Sequence, residues 1–144
     1  MAEREGRVLG LDLGSRRIGL ALSDVELPIA FPEGVLERKG LAKDLEALRR
    51  LAVEREVARI VVGLPIHMSG RRGPEAEAAE RFAAALAEAT GLPVDLQDER
   101  WTTQEAHRAL AASGHGARDR RGRVDAVAAS LLLRAWLERH RGGA

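Results

Sequence analysis

Residues 7–24, RVLGLDLGSRRIGLALSD, contain two apolar runs rich in Val, Ile and Leu on either side of a short Gly-Ser-Arg turn. This pattern predicts a hairpin of two strands, 7–13 and 17–24. The first strand carries a carboxylate, Asp12, among apolar neighbours. Because burial of an unpaired carboxylate costs several kcal/mol, Asp12 must pair with a cation, shift its pKa or bind a metal ion.

The remainder of the chain alternates between helical and extended patterns. A third strand continues the hairpin, and Pro28 and Pro32 place it at an edge of the sheet. The later crossovers predict parallel strands, so the chain is expected to form an α/β fold with a five-stranded mixed sheet flanked by helices. The elements predicted after the hairpin are a strand at about 29–37, a helix at 41–56, a strand at 58–65, a helix at 75–91, a strand at 92–99, a helix at 102–114, a basic loop at 115–123 and a final helix at about 123–140.

Length and composition restrict the class of protein. A chain of 144 residues with 45% hydrophobic residues fits one domain, 1–144. The absence of cysteine excludes disulfides and thiolate metal sites. The charged start and the lack of a long apolar stretch predict a cytoplasmic protein without a membrane partner. All but two of the 23 basic residues are arginine, which suits phosphate contacts but also follows from a GC-rich genome.

Three acids stand where an acid is locally unexpected. They are Asp12, Glu99 within Asp98-Glu99-Arg100, and Asp125 among the apolar residues of the final helix. Each has a structural alternative: an arginine partner for Asp12, a solvated strand end for Glu99, and a cap or macrodipole role for Asp125 in the first turn of its helix. However, ligands of open α/β sheets bind beyond the carboxyl ends of parallel strands, where Asp12 and Glu99 are both expected.

Such a cluster of acids predicts a metal site. Oxygen-only ligands favour hard cations such as Mg²⁺ or Mn²⁺ over zinc. Two such ions can activate a water and stabilise the leaving oxygen of a phosphodiester. The sequence therefore favours a metal-dependent enzyme acting on phosphodiesters, with a metal ion as the partner of Asp12.

Four motifs carry a resemblance to a known family: GLDLGSRRIGLALSD, VVGLPIHMSG, DERWTT and VDAVAASLLL. In this order they resemble the YqgF family, also called RuvX, and the similarity extends over roughly residues 7 to 138. The resemblance implies a ribonuclease H-like fold similar to that of the RuvC resolvase. It also implies a nuclease that resolves Holliday junctions or matures the 5′ end of small-subunit ribosomal RNA.

Matching motif by motif, the resemblance places the catalytic and metal-binding acids at Asp12, Glu99 and Asp125. RuvC-type resolvases carry a further acid near the last one, where this chain has Ala126, Val127 and Ala128, so Asp98 is the nearest candidate for a fourth ligand. Nine arginines in the turn and loops expected at this edge are candidates for phosphate contacts, with solvated surface charge as the alternative: Arg16, Arg17, Arg71, Arg72, Arg100, Arg118, Arg120, Arg121 and Arg123.

Two other functions remain open at this point. The segment DLGSRRIG also resembles the phosphate loop of the actin, Hsp70 and sugar-kinase superfamily, which would make the chain a nucleotide-binding module. Alternatively, the chain is a non-catalytic nucleic-acid-binding or ribosome assembly factor. The expected partner of a nuclease is branched DNA or pre-rRNA, and a resolvase would be expected to form a homodimer because it needs two active sites.

Overall fold

The computed structural model describes residues 6–24, 29–100 and 117–142. Its strands are β1 Arg7–Leu13, β2 Arg17–Ser23, β3 Ala30–Glu37, β4 Val57–Leu64 and β5 Val94–Asp98. Its helices are α1 Leu41–Glu54, α2 Pro74–Thr90 and α3 Ala117–Leu137, followed by a π-helical turn, Glu138–Gly142. The five strands and the first two helices are confirmed to within two residues at either end. The predicted helix 102–114 lies outside the described residues.

The sheet is mixed, as predicted. Its order is β3-β2-β1-β4-β5, with antiparallel pairing among β1, β2 and β3 and parallel pairing of β1 with β4 and of β4 with β5. The hairpin turn is closed by a hydrogen bond from the Gly14 N–H to the Arg17 carbonyl, 2.8 Å long. Strands β1, β4 and β5 therefore end at the same edge of the sheet.

Helices cover both faces of the sheet. Successive side chains of a strand point to opposite faces, so Leu9 and Leu11 of β1 join one core cluster with residues of α1 and α2 such as Leu48 and Leu86. On the other face, Val8 joins a second cluster with residues of α3, including Trp136. Asp12 has the parity of Val8 and therefore belongs to the face that α3 covers.

Helix α3 differs from the prediction at its beginning. The segment from Ala117 onward is helical rather than part of a basic loop, so the loop predicted at 115–123 is wrong from residue 117 on. Alanine and arginine have high helix propensity, and this outweighs the single Gly122 that suggested a break. Asp125 consequently lies about two turns inside the helix, where capping and macrodipole effects no longer act.

Candidate active site

Asp12 and Glu99 lie side by side at the edge where β1 and β5 end, and their carboxyl groups share a hydrogen bond. Strand β4 separates β1 from β5, and Gly63 of β4 provides the space between them. A Cβ atom at Gly63 would overlap the Glu99 carboxylate. A glycine inside a strand is expected at such a close approach. Because Gly63 has no side chain, the Glu99 carboxylate can lie against strand β4.

The surroundings of this pair raise the pKa of both carboxyl groups. Burial, the nearby charge of Asp12 and the hydrogen bond between the two carboxyl groups raise the pKa of Glu99 from 4.5 to about 9. Burial also raises the pKa of Asp12; the hydrogen bond with Glu99 opposes this rise, and the charge of Asp125 adds to it. Two buried carboxyl groups this close cannot both ionise without a compensating cation. With its pKa at about 9, Glu99 is the protonated member of the pair at neutral pH.

Asp125 approaches the pair from helix α3. Gly19 of β2 stands directly opposite Asp12 in the antiparallel ladder, and a Cβ atom there would overlap the backbone carbonyl of Asp125. This close contact of helix and sheet brings Asp125 near enough to influence the pKa of Asp12. The Asp125 carboxylate itself accepts a hydrogen bond from the Arg17 Nε–H, with 3.1 Å between the nitrogen and Oδ2.

Asp98, the candidate fourth ligand, is engaged with Arg100. Its carboxylate lies 2.7 Å from one guanidinium nitrogen of Arg100 and accepts two further hydrogen bonds, from the Arg100 backbone N–H and Nε–H. Burial opposes ionisation, but these contacts hold the pKa of Asp98 below its usual value. Among the described residues, no group of three or more acids, histidines or cysteines is arranged to hold a metal ion. The structure thus joins Asp12 and Glu99 and leaves Asp125 and Asp98 paired with arginines.

The described arginines of the predicted phosphate-binding set divide into two groups. Arg16 and Arg71 are exposed, and no ion pair to either is found among the described residues. Arg17, Arg72 and Arg100 are paired with Asp125, Glu80 and Asp98 respectively. Arg118, Arg120, Arg121 and Arg123 fall on the first turns of α3, and their side chains lie outside the described residues.

The loop after β4 carries Arg71 and Arg72, both of them exposed. Arg71 accepts a hydrogen bond at its carbonyl from the His67 N–H, 2.9 Å long, and Ile66 forms an isolated bridge with Arg72. A Cβ atom at Gly70 of this loop would lie 3.8 Å from a guanidinium nitrogen of Arg100. The loop after β4 therefore lies next to the segment that carries Glu99.

Comparison with known proteins identifies the family. The family model described as "RuvX: Holliday junction resolvase" matches residues 6–139. The chain belongs to the RuvX family. A relative from Anaeromyxobacter dehalogenans (strain 2CP-C) is 49% identical over 133 residues, which cover 92% of this chain and 97% of the relative. A relative from Myxococcus xanthus (strain DK1622) is 43% identical over 135 residues, covering 94% and 89%. Both are named as candidate pre-16S rRNA nucleases.

Solved structures establish the fold of this RuvX family member. The RuvC protein of T. thermophilus in complex with a Holliday junction substrate matches with a TM-score of 0.61 and 17% identity, covering 96% of this chain and 98% of that chain. A fowlpox virus resolvase bound to Holliday junction DNA matches with a TM-score of 0.54 and 9% identity, covering 92% and 97%. The ribonuclease H-like fold is confirmed.

Membership in a family of nucleases and resolvases confirms an enzyme that hydrolyses phosphodiester bonds. It disfavours both the nucleotide-binding module and the non-catalytic assembly factor. No helix in the described ranges has the length and apolarity to cross a membrane.

Sequence reasoning missed two glycines that shape the site. Gly19 and Gly63 admit Asp125 and Glu99 at positions where any side chain would collide with them. The signal was present, since both interrupt apolar strands in which glycine is otherwise unfavourable. The pairing of Arg17 with Asp125 carried no such signal because the two residues are 108 positions apart.

Proposed function

We propose that this chain is a divalent-metal-dependent nuclease that cleaves pre-16S rRNA, with Asp12, Glu99 and Asp125 as its catalytic metal ligands. The hydrogen-bonded pair of Asp12 and Glu99 is the observation that carries the proposal. A buried pair of acids with a raised pKa at the end of a sheet is expected at a functional site.

The donor chemistry of this site fits Mg²⁺ or Mn²⁺. All the donors are carboxylate oxygens, which suit hard cations, and a cation there would favour the ionised form of Glu99, whose pKa is raised in its absence. Asp12 and Glu99 would hold the ion, with Asp125 completing the set. Nucleases with this fold generally use divalent metal ions, which supports the same assignment. A bound ion would lower the pKa of an attacking water and stabilise the leaving oxygen.

The protein's own residues would supply binding and orientation. Gly63 and Gly19 leave space for Glu99 and Asp125 to lie directly against the sheet. Metal binding would therefore need little rearrangement of the backbone. Arg71 is exposed beside the segment that carries Glu99, and its guanidinium group suits bidentate contacts to phosphate. Phosphate contacts of this kind position a nucleic acid without reading its sequence. Asp98 is proposed to keep Arg100 in place rather than to bind the metal.

Junction resolution is the second candidate function. The description of the matching family as a Holliday junction resolvase favours it. Cutting two strands of a junction would require two copies of the site, so this role predicts a homodimer. In either role the proposed enzyme is a single nuclease domain, 1–144, that acts in the cytoplasm.

A cleavage panel tests the proposal. Wild type and Asp12→Asn are incubated with Mg²⁺ or Mn²⁺ and with a pre-16S rRNA fragment, a four-way DNA junction, duplex DNA and single-stranded DNA. We expect the wild type to cleave the rRNA precursor and the variant to be inactive on every substrate. Cleavage of the junction alone would favour the second function. Equal activity of wild type and Asp12→Asn would contradict the site.

A further inference from the structure

Arg17 forms a contact that the proposed reaction does not use. Its Nε–H donates to Asp125 Oδ2 across 3.1 Å, and the two side chains are only 29% and 25% exposed. One partner is a predicted phosphate-binding residue and the other is a proposed metal ligand. While the two are joined, the positive charge of Arg17 offsets the negative charge that Asp125 would offer to a cation.

The backbone of Asp125 does not depend on this contact. The helix is fixed against β2 because Gly19 leaves no space between the strand and the Asp125 carbonyl. The Arg17 contact therefore determines where the carboxylate is held, rather than where the helix lies. Asp125 remains close enough to Asp12 for its charge to act there.

A cation held by Asp12 and Glu99 would attract the Asp125 carboxylate and repel the Arg17 guanidinium group. The Arg17 Nε–H occupies Oδ2 of Asp125, so a cation that binds this oxygen has to displace the guanidinium group. Asp125 can therefore be engaged by Arg17 or by the metal, and an arginine released at this edge would lie where a phosphate is expected.

We propose that Arg17 is a positioning residue that exchanges Asp125 for a substrate phosphate. In the free protein, Arg17 holds Asp125 and weakens metal binding. When the metal engages Asp125, Arg17 is released and contacts the nucleic-acid backbone, so metal and substrate strengthen each other's binding. This inference rests on the proposed function, because it takes Asp125 as a ligand.

The first test is Mn²⁺ binding to the free protein, measured by titration calorimetry. Arg17→Met removes the charge and keeps much of the side-chain volume; Arg16→Met is the matched control at an exposed neighbour. We expect Arg17→Met to bind Mn²⁺ about fivefold or more tightly than wild type, while Arg16→Met stays near wild type. Equal or weaker binding by Arg17→Met would overturn the proposal. If Arg17→Met does not fold, Arg17→Gln is measured instead and is expected to bind Mn²⁺ more tightly than wild type. Equal or weaker binding by Arg17→Gln would also overturn the proposal.

The second test measures nucleic-acid affinity by fluorescence anisotropy, with and without Mn²⁺, on a phosphorothioate RNA that spans the 5′ cleavage region of pre-16S rRNA. Arg17→Met should weaken binding only when Mn²⁺ is present, and should lower the salt slope by about 0.7 to 0.9. Arg16→Met should have the same effect in both conditions. A loss that is equal with and without Mn²⁺ would make Arg17 an ordinary phosphate contact and overturn the exchange.

Asp12→Asn separates this inference from the proposed function. If Asp12→Asn leaves Mn²⁺ binding unchanged, the metal site itself is wrong and the exchange fails with it. If Asp12→Asn abolishes Mn²⁺ binding while Arg17→Met leaves the affinity as in wild type, the nuclease site stands and only the exchange is wrong.

Discussion

Two clusters of partly buried polar groups lie on the face of the sheet that α3 covers, and their acids have opposite kinds of partner. In the first, Asp95 of β5 accepts hydrogen bonds from Arg59 Nη1 and Trp136 Nε1, each 3.0 Å long. The Arg59 guanidinium carbon also lies 5.8 Å from the centre of the Trp136 ring. In the second, the carboxyl groups of Asp12 and Glu99 hydrogen-bond to each other. The first cluster is made of charge-assisted and neutral hydrogen bonds that stabilise the fold, whereas the second is the proposed metal site.

The two clusters lie toward opposite ends of the strands. Asp95 and Arg59 are near the beginnings of β5 and β4, while Asp12 and Glu99 are at the ends of β1 and β5. At the beginning of the strands, an acid is satisfied by donors from a strand and a helix. At the end, Asp12 and Glu99 hydrogen-bond to each other, and burial raises the pKa of both carboxyl groups. The difference predicts that mutations at the two ends have opposite consequences.

The largest expected effect is on catalysis. Asp12→Asn should lower the rate of phosphodiester cleavage by several orders of magnitude, because it removes a metal ligand while keeping the shape of the side chain. Asp95→Asn, the matched change in the other cluster, should cleave within a few-fold of wild type. Single-turnover cleavage of a pre-16S rRNA fragment measures both variants. Similar losses in the two variants would remove the distinction between the clusters.

The second effect is on stability. Here the change in the Asp95 cluster should cost more than the change in the acid pair. Asp95→Ala should lower the free energy of unfolding by about 1 to 2 kcal/mol, since it leaves the Trp136 N–H without its acceptor; the Arg59 contact adds little at its partial exposure. Glu99→Gln should instead raise the free energy of unfolding at neutral pH, because folding of wild type requires Glu99 to take up a proton that the unfolded chain has already lost. Urea denaturation without metal measures both. A large loss in Glu99→Gln would mean that the acid pair is a structural element.

The third effect concerns pH. The pKa of Glu99 is raised from 4.5 to about 9 in the folded protein, so its protonation favours the folded state. This contribution is complete below pH 4.5 and is lost as the pH rises toward 9. Metal-free wild type should therefore lose stability across this window relative to Glu99→Gln. Parallel stability profiles of the two proteins, measured by urea denaturation, would contradict the raised pKa.

The sequence predicts one side of this contrast, the acid pair, whereas the Asp95 cluster depends on how α3 packs on the sheet. The hairpin around Gly14 places Asp12 near the end of a strand, and the shared edge of the parallel strands predicts its approach to Glu99. The partners of Asp125 and Arg72 do not follow from local patterns, because they depend on how a helix packs. The helical state of residues 117–122 was missed because Gly122 suggested a loop, although its alanine and arginine neighbours favour a helix.

The smallest expected effect compares two exposed arginines of the loop after β4, of which Arg72 is paired with Glu80 and Arg71 has no ion pair among the described residues. Arg71→Ala should weaken nucleic-acid binding and lower the slope of log affinity against log salt by about 0.7 to 0.9. Arg72→Ala should change the slope less, because Glu80 already engages that guanidinium group. Anisotropy titrations at several salt concentrations measure both slopes. Equal slopes in wild type and both variants would identify these arginines as surface charge only.

The central claim, that the opposed acids form a metal site, is tested most directly by thermal melting with and without Mn²⁺ at neutral pH. Wild type should be stabilised by about 2.7 kcal/mol when Mn²⁺ is a hundredfold above its dissociation constant. Asp95→Asn should gain as much as wild type. Asp125→Asn should gain less than wild type when Mn²⁺ is added. Equal shifts in all three proteins would contradict a site built from Asp12, Glu99 and Asp125.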